Sequence, residues 1–259
     1  MKIFPFLMAL ALLLGCQPQN GQDANAGTAS DNNNPAAPGF DAEGSDPEAI
    51  AIADQVMETM GGRSAWDSSR YLHWNFFGMR SLLWDKQRGR ARIDIPEDSL
   101  SIVVQLDSLR GQATKNGHLL TEVGLQEQLK RGKSIWINDA YWLFMPFKLK
   151  DSGLTLKHLG SDSTQAGQPA HRLQLTFEGV GDTPHNKYHV WVDKEEHLVR
   201  QWAYFENAND EAPKFITPWQ DYQTYGRLLL SGDRGKRHIT DIRVMDTIPE
   251  GTFDLKAID

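Results

Sequence analysis

The feature that most constrains this chain is a two-residue alternation of apolar and polar side chains, running in two blocks separated by one helical stretch. In the first block Leu72, Trp74 and Phe76 alternate with His73, Asn75 and Phe77. Ala91, Ile93 and Ile95 alternate with Arg92 and Asp94, and Ile102, Val104 and Leu106 with Ser101 and Gln105. The pattern resumes after residue 154, where Leu173, Leu175 and Phe177 alternate with Arg172, Gln174 and Thr176. Tyr188, Val190 and Val192 then alternate with Lys187 and His189. Successive side chains of a strand point to opposite faces, so each run has one apolar face and one half-polar face. Turn residues separate the runs: Asp85 to Gly89, Asn116-Gly117 and Asp193 to His197 each predict a hairpin. Further strands are expected at Gln220–Tyr225, Arg227–Ser231 and His238–Met245. Short turns and half-polar faces predict a mainly β, α+β fold: a curved antiparallel sheet or half-open β-barrel, with an N-terminal helix and a mid-chain helical lid.

The helices announce themselves by a change of period. Ser45-Asp46-Pro47-Glu48 offers an N-cap, a first-turn proline and an acidic residue at the positive helix end. Ala49, Ile52, Ala53, Val56, Met57 and Met60 follow at helical spacing, and Gly61-Gly62 stops the helix. A further helical turn is expected around Ser64-Ala65-Trp66. Between the two β blocks, Gly124–Lys133 and Ser134–Phe147 abandon the alternation and predict one or two helices ending before Pro146. Trp136, Ile137, Tyr141, Trp142, Phe144 and Met145 concentrate there, which suits either a plug of ordinary core or a movable lid over an apolar cavity.

At the N-terminus, Lys2 precedes a nearly unbroken apolar run from Ile3 to Leu14, followed by Gly15 and Cys16. A membrane-spanning helix needs roughly 20 apolar residues, so this run reads as a secretory signal, not an anchor. Cys16, the one cysteine of the chain, sits at the cleavage point and looks like the acylated cysteine of a bacterial lipoprotein. Residues 1–15 are then the lipoprotein signal peptide, and 16–45 a lipidated cysteine with a disordered tether. Residues 46–259 form the folded domain. Residues 17–44 lack the apolar side chains needed to offset ordering entropy, and such a coil reaches roughly 30 Å. Gln17 is not the aspartate of an inner-membrane retention signal, which points to export and anchoring at the outer membrane, on either leaflet.

Composition narrows the partners. The formal charge is −7, and removing Lys2 and the four acids of 17–45 leaves about −4 on the domain, which argues against nucleic acid. No cysteine follows Cys16, so a packed core must supply the stability, and eight tryptophans are available to build it.

The chemistry of the common enzymes is missing from the pattern. No glycine-rich phosphate loop follows a strand, and neither GxSxG nor HExxH occurs. His185 and His189 stand four apart but fall on a loop and a strand, so no metal pair is expected. Asp85, Asp193 and Asp246 lie near strand ends, where they shape turns. No catalytic residue, metal or cofactor is therefore expected, although a carboxylate pair assembled by folding would make a hydrolase.

The stretch Tyr188-His-Val-Trp-Val-Asp-Lys-Glu-Glu-His-Leu-Val-Arg200-Gln-Trp is similar to a strand-turn-strand hairpin of the LolA/LolB lipoprotein-carrier and receptor superfamily. Trp219-Gln-Asp-Tyr222-Gln-Thr-Tyr225-Gly226 with Arg227-Leu-Leu-Leu resembles its penultimate strands. The segments Met57–Trp66 and Tyr71–Gly78 resemble lipoproteins of gliding-type and related Gram-negative bacteria. The resemblance covers residues 46–259 and implies a half-open barrel whose helical lid encloses an apolar cavity. It carries no catalytic residue. An acylated Cys16 is nearer the anchored receptor than the soluble carrier, and Phe205–Phe215 is the counterpart considered for the receptor's membrane-inserting loop, though acidic residues interrupt it.

A concave sheet face must be filled or covered. The cavity-lining candidates are Trp74 and Phe76, Ile93 and Ile95, Ile102 and Val104, Leu173, Leu175 and Phe177, and Tyr188, Val190 and Val192. The same residues serve a solid core equally well. The sequence thus leads to a non-enzymatic, membrane-anchored lipoprotein of the envelope that holds a lipid or acylated cargo. The alternative is an envelope scaffold or interaction module with a filled interior. The partners expected are the bilayer through Cys16 and a lipid or lipoprotein ligand.

Overall fold

The computed structural model describes residues 33–256 apart from 180 and 182–184. Cys16, the 1–15 signal and the first half of the tether lie outside the described residues. In chain order the elements are α1 (Pro47–Thr59), α2 (Gly62–Ser68), β1 (Tyr71–Phe76), β2 (Arg80–Asp85), β3 (Arg90–Ile95) and β4 (Leu100–Gln105). Next come β5 (Gly111–Lys115), β6 (His118–Leu119) and the long helix α3 (Glu122–Phe144). The second block holds β7 (Leu154–Ser163), β8 (Pro169–Phe177), β9 (Lys187–Asp193) and β10 (Val199–Phe205). It closes with β11 (Phe215–Pro218), β12 (Gln220–Tyr225), β13 (Leu228–Asp233) and β14 (Ile239–Met245).

The alternation builds open, curved antiparallel sheets, as expected, but it divides them. Seven strands pair in the order β14-β1-β2-β3-β4-β5-β6, five in the order β11-β10-β9-β8-β7, and β12-β13 form a separate hairpin. The register explains the core. Trp74 pairs with Leu82, Leu82 with Ile93, Ile93 with Ile102 and Ile102 with Ala113, so one apolar row crosses five strands. The opposite face of this sheet is only partly wetted. Phe253 and Leu255 of the C-terminal segment cover Tyr71, Leu83 and Val103 there.

The expected hairpin turns form where the local chemistry asked for them. Asn116 (φ 52°) and Gly117 (φ 80°) adopt the left-handed pair that matches strand twist. The Asp193 carboxylate accepts the N–H groups of Glu195 and Glu196 at 2.9 and 2.8 Å. Asp85 is fully buried, accepts the Arg88 N–H, and draws in Arg70 and Arg90 as ion-pair partners.

Two readings of the N-terminal region change. Residues 33–45, grouped with the tether by composition, belong to the folded body: Ala37 N–H donates to the Lys150 carbonyl and Asp41 N–H to the Leu154 carbonyl. They dock through backbone groups, the polar side chains of Asn34, Asp41 and Ser45, and one large apolar side chain, Phe40, so apolar content did not mark them. The Ser45-Asp46 pair does not cap its own helix with a side-chain bond. Asp46 accepts the His158 N–H at 2.9 Å and pairs with Lys157 Nζ at 3.0 Å, while Ser45 Oγ accepts the Leu156 N–H at 2.9 Å. These polar groups fasten α1 to β7. At its other end α1 runs into Gly61, whose φ of 116° and closeness to the Arg227 carbonyl (2.4 Å from an added Cβ) admit only glycine.

The interruption between the blocks is one helix of 23 residues, α3, followed by a 3-10 turn at Met145–Lys148. Leu129, Gly132, Ala140, Leu143 and Phe144 are its buried face. Gly132 sits so near β4 that an added Cβ would lie 2.9 Å from Ile102 Cγ2. Arg80 of β2 holds the buried Asp139 with two bonds, Nε to Oδ2 at 2.6 Å and Nη2 to Oδ1 at 2.7 Å.

Candidate binding groove

Two adjoining chambers border α3. The larger, about 420 Å³, is lined by Ile137, Tyr141 and Trp142 of α3 and by Phe177, Tyr188, Trp202, Tyr204 and Phe215 of the five-stranded sheet, with Ser134, Asn138 and Asn186 as polar points. The smaller, about 290 Å³, is lined by Trp84, Trp136, Ala140, Phe144 and Leu154, with Lys148 and Asp151 at its edge. Ile137, Tyr141, Phe177 and Gly181 border both chambers and make the shared wall. Each volume is of the order of small-molecule sites, which run from about 300 to 1,000 Å³.

Helical spacing produces this lining. Ile137 and Tyr141 are one turn apart and so share a face. Trp136 packs on the seven-stranded sheet, and Trp142 bridges Phe76 and Phe77 to the five-stranded sheet. The rings interlock. Tyr188 stacks on Trp202 with centroids 5.2 Å apart, and Trp142 meets Trp202 edge-on at 4.8 Å. In the smaller chamber Trp84 and Trp136 pack edge-on at 5.1 Å. Such contacts fix the wall while keeping it apolar.

The wall also carries donors without acceptors. The hydroxyl of Tyr141 and the indole N–H groups of Trp84, Trp136 and Trp202 are buried and find no partner among the described residues. Burial pushes the Tyr141 phenol well above its ordinary pKa, and pushes Tyr188 up to about 12, so both remain neutral. A buried donor left unpaired costs about 1–3 kcal/mol. Asp151 is the carboxylate among the lining residues, and Lys148 pairs with it.

The expected site residues divide sharply. Of the lid candidates, Trp136, Ile137, Tyr141, Trp142 and Phe144 border the groove, while Met145 is fully buried beyond the helix end. The helix supplies core and groove wall together, and Ala140 and Phe144 belong to both. Of the cavity-lining candidates, only Phe177 and Tyr188 reach the groove. Trp74, Phe76, Ile93, Ile95, Ile102, Val104, Leu173, Leu175, Val190 and Val192 are instead packed into one continuous core. The hollow expected over them is filled, because the close approach at Gly132 lets α3 and its side chains settle on the first sheet. Trp84, Leu154, Trp202, Tyr204 and Phe215 line the groove without having been singled out. Alternation through β10 was the available signal for Trp202 and Tyr204, which share a face; nothing local marks Phe215. His189 binds Gln174 on the far face of its strand and His185 is an exposed loop residue.

Fold and groove together define an open, helix-filled half-barrel with an aromatic-walled slot. No family model matches the chain, and no curated protein matches it. Among solved structures it is similar to a DUF1329 family protein from Desulfovibrio piger, at 13% identity and TM-score 0.43 over 80% of this chain and 97% of that one. It is also similar to a domain described as an outer-membrane lipoprotein-sorting protein from Vibrio parahaemolyticus, at 14% identity and TM-score 0.41 over 80% and 96%. A LolA superfamily protein from Nitrosomonas europaea aligns at 11% identity and TM-score 0.38 over 78% and 96%.

Proposed function

We propose that this chain is a non-enzymatic lipoprotein of the bacterial envelope that holds an acyl chain, from a lipid or an acylated protein, in the groove beside α3. In this reading residues 1–15 are removed, Cys16 is acylated, and the domain is anchored at the outer membrane. The observation that carries it is the pair of aromatic-walled chambers meeting at Ile137, Tyr141 and Phe177. The chambers offer an apolar bed for a hydrocarbon chain. Each methylene buried contributes about 0.8 kcal/mol, so even part of a chain supplies useful affinity.

The test is displacement of a fluorescent fatty acid from the protein purified without detergent, together with solvent extraction and mass spectrometry. Saturable binding is expected, and Ile137→Trp, which fills the shared wall, should abolish it at an unchanged unfolding temperature. A protein that neither releases lipid nor binds the probe would instead favour a solid interaction module, to which the filled core of the seven-stranded half already lends support.

A further inference from the structure

Away from the groove, three side chains from three elements converge: Glu48 in the first turn of α1, His158 on β7 and His171 on β8. One ligand atom from each lies within 4.8 Å of the others. His158 Nε2 is 3.2 Å from His171 Nδ1, and His158 Nδ1 is 2.9 Å from Glu48 Oε2.

The backbone builds this meeting. His158 pairs with Leu173, but Ser161 pairs with His171, so Leu159 and Gly160 stand opposite Arg172 alone. That is a β-bulge, with Gly160 at φ 91°, and bulges sharpen the local twist. Diagonal neighbours on one sheet face normally stand roughly 7–8 Å apart at the backbone, within reach of two imidazoles that turn toward each other. Here the ring centroids are 5.2 Å apart. The third group is delivered by the α1 anchor, since Asp46 grips the N–H of His158 itself and Ser45 the N–H of Leu156. Glu48 is two residues further on.

We propose that Glu48, His158 and His171 form a binding site for a divalent transition-metal ion. His158 Nε2 and His171 Nδ1 are the nitrogen ligands, and Glu48 orients His158 through its Nδ1–H. Two nitrogens on one tetrahedral ion, each at about 2.0–2.1 Å, lie roughly 3.3 Å apart, close to the spacing already present. A carboxylate on the far nitrogen of a ligating histidine sets its tautomer and aims its lone pair. Without an ion, the short nitrogen–nitrogen contact holds one proton, donated by His171 Nδ1 to His158 Nε2. Binding moves that proton to His171 Nε2, so no charge is lost from either ring. Two imidazoles suit zinc, copper or nickel, whereas magnesium and calcium take oxygen ligands. Glu48 is largely exposed, so solvent has access to complete the coordination. A bound ion would staple the first turn of α1 to the β7–β8 hairpin. Sequence spacing hid the site, because it depends on a bulge and on an anchor from another element.

The test uses the full chain stripped with a chelator, titrated with Zn²⁺ by calorimetry and with Cu²⁺ followed by electron paramagnetic resonance. One ion per chain, two-nitrogen hyperfine structure on copper and a higher unfolding temperature are expected. His171→Asn should remove all three, with circular dichroism and metal-free unfolding temperature unchanged. Glu48→Gln should keep the stoichiometry and weaken affinity roughly 10–100-fold. Replacing the exposed His185 and His238 should leave binding intact. Absence of binding at micromolar ion, or full stoichiometry retained by His171→Asn, would overturn the proposal.

Discussion

His189 shows how one side chain takes its chemistry from the face of the sheet it occupies. It lies on the outer face of β9, 4.6 Å from the Phe205 ring, with Nε2 3.3 Å from Gln174 Oε1. Burial first, and then the charges of Arg172 and Lys187, lower its pKa from 6.5 to about 4. In that window the unfolded chain binds the extra proton and the folded chain does not. Stability is therefore held above about pH 6.5 and lost as pH falls toward 4. The ring is partly solvated, so screening reduces the ideal effect to about 1 kcal/mol. Urea unfolding at pH 7 and pH 4.5 should show a smaller acid loss for His189→Gln than for the parent, by about that amount. Equal losses in the two proteins would remove His189 from the account of acid sensitivity.

Among the elements, α3 decides most. Three contacts pin it: the close approach of Gly132 to Ile102, the bidentate Arg80–Asp139 pair, and Arg234 at the C-terminal end. Arg234 is buried, donates to the Trp142 carbonyl at 2.7 Å and to Ser231 and Asp233, and lies 3.4 Å over the Trp219 ring. A cation at the last carbonyls of a helix is favoured by the helix dipole. These anchors hold α3 in place. Gly132→Val would force a branched side chain against Ile102, Ile93 and Val104. Overpacking of this kind costs about 1–3 kcal/mol, and chemical denaturation should report it. Because α3 walls the groove, the same variant should also weaken probe binding. Parent-like stability would show that the helix has more freedom than its packing implies.

At the scale of the whole molecule the groove sets a length rule. If the acyl chain fills the chambers from one end, each added methylene should tighten binding about fourfold. The gain should stop once the chambers are full. A series of fatty acids from eight to eighteen carbons, measured by displacement, should thus show a slope and then a plateau. A flat response across the series would mean that the aromatic walls bind something other than an extended hydrocarbon. Strand positions, hairpin turns and the helical interruption were legible beforehand, because each depends on neighbours a few residues apart. Side-chain direction flips with every residue of a strand, and Asn116-Gly117 carries its left-handed turn with it. The location of the slot was not legible, since Val104 or Leu175 has the same alternating signature whether it faces a void or a helix. How near α3 comes is set by a missing Cβ at Gly132, and which rings border the remaining space is set by the division into two sheets. The chain's local patterns alone determined that it would be a curved β structure with a helical start and a helical interruption between its two β blocks. Only the long-range packing decided that the hollow would be filled, that an aromatic slot would open beside the helix, and that two histidines on separate strands would meet. Those outcomes turn on distances between segments remote in sequence, and periodicity holds no record of such distances.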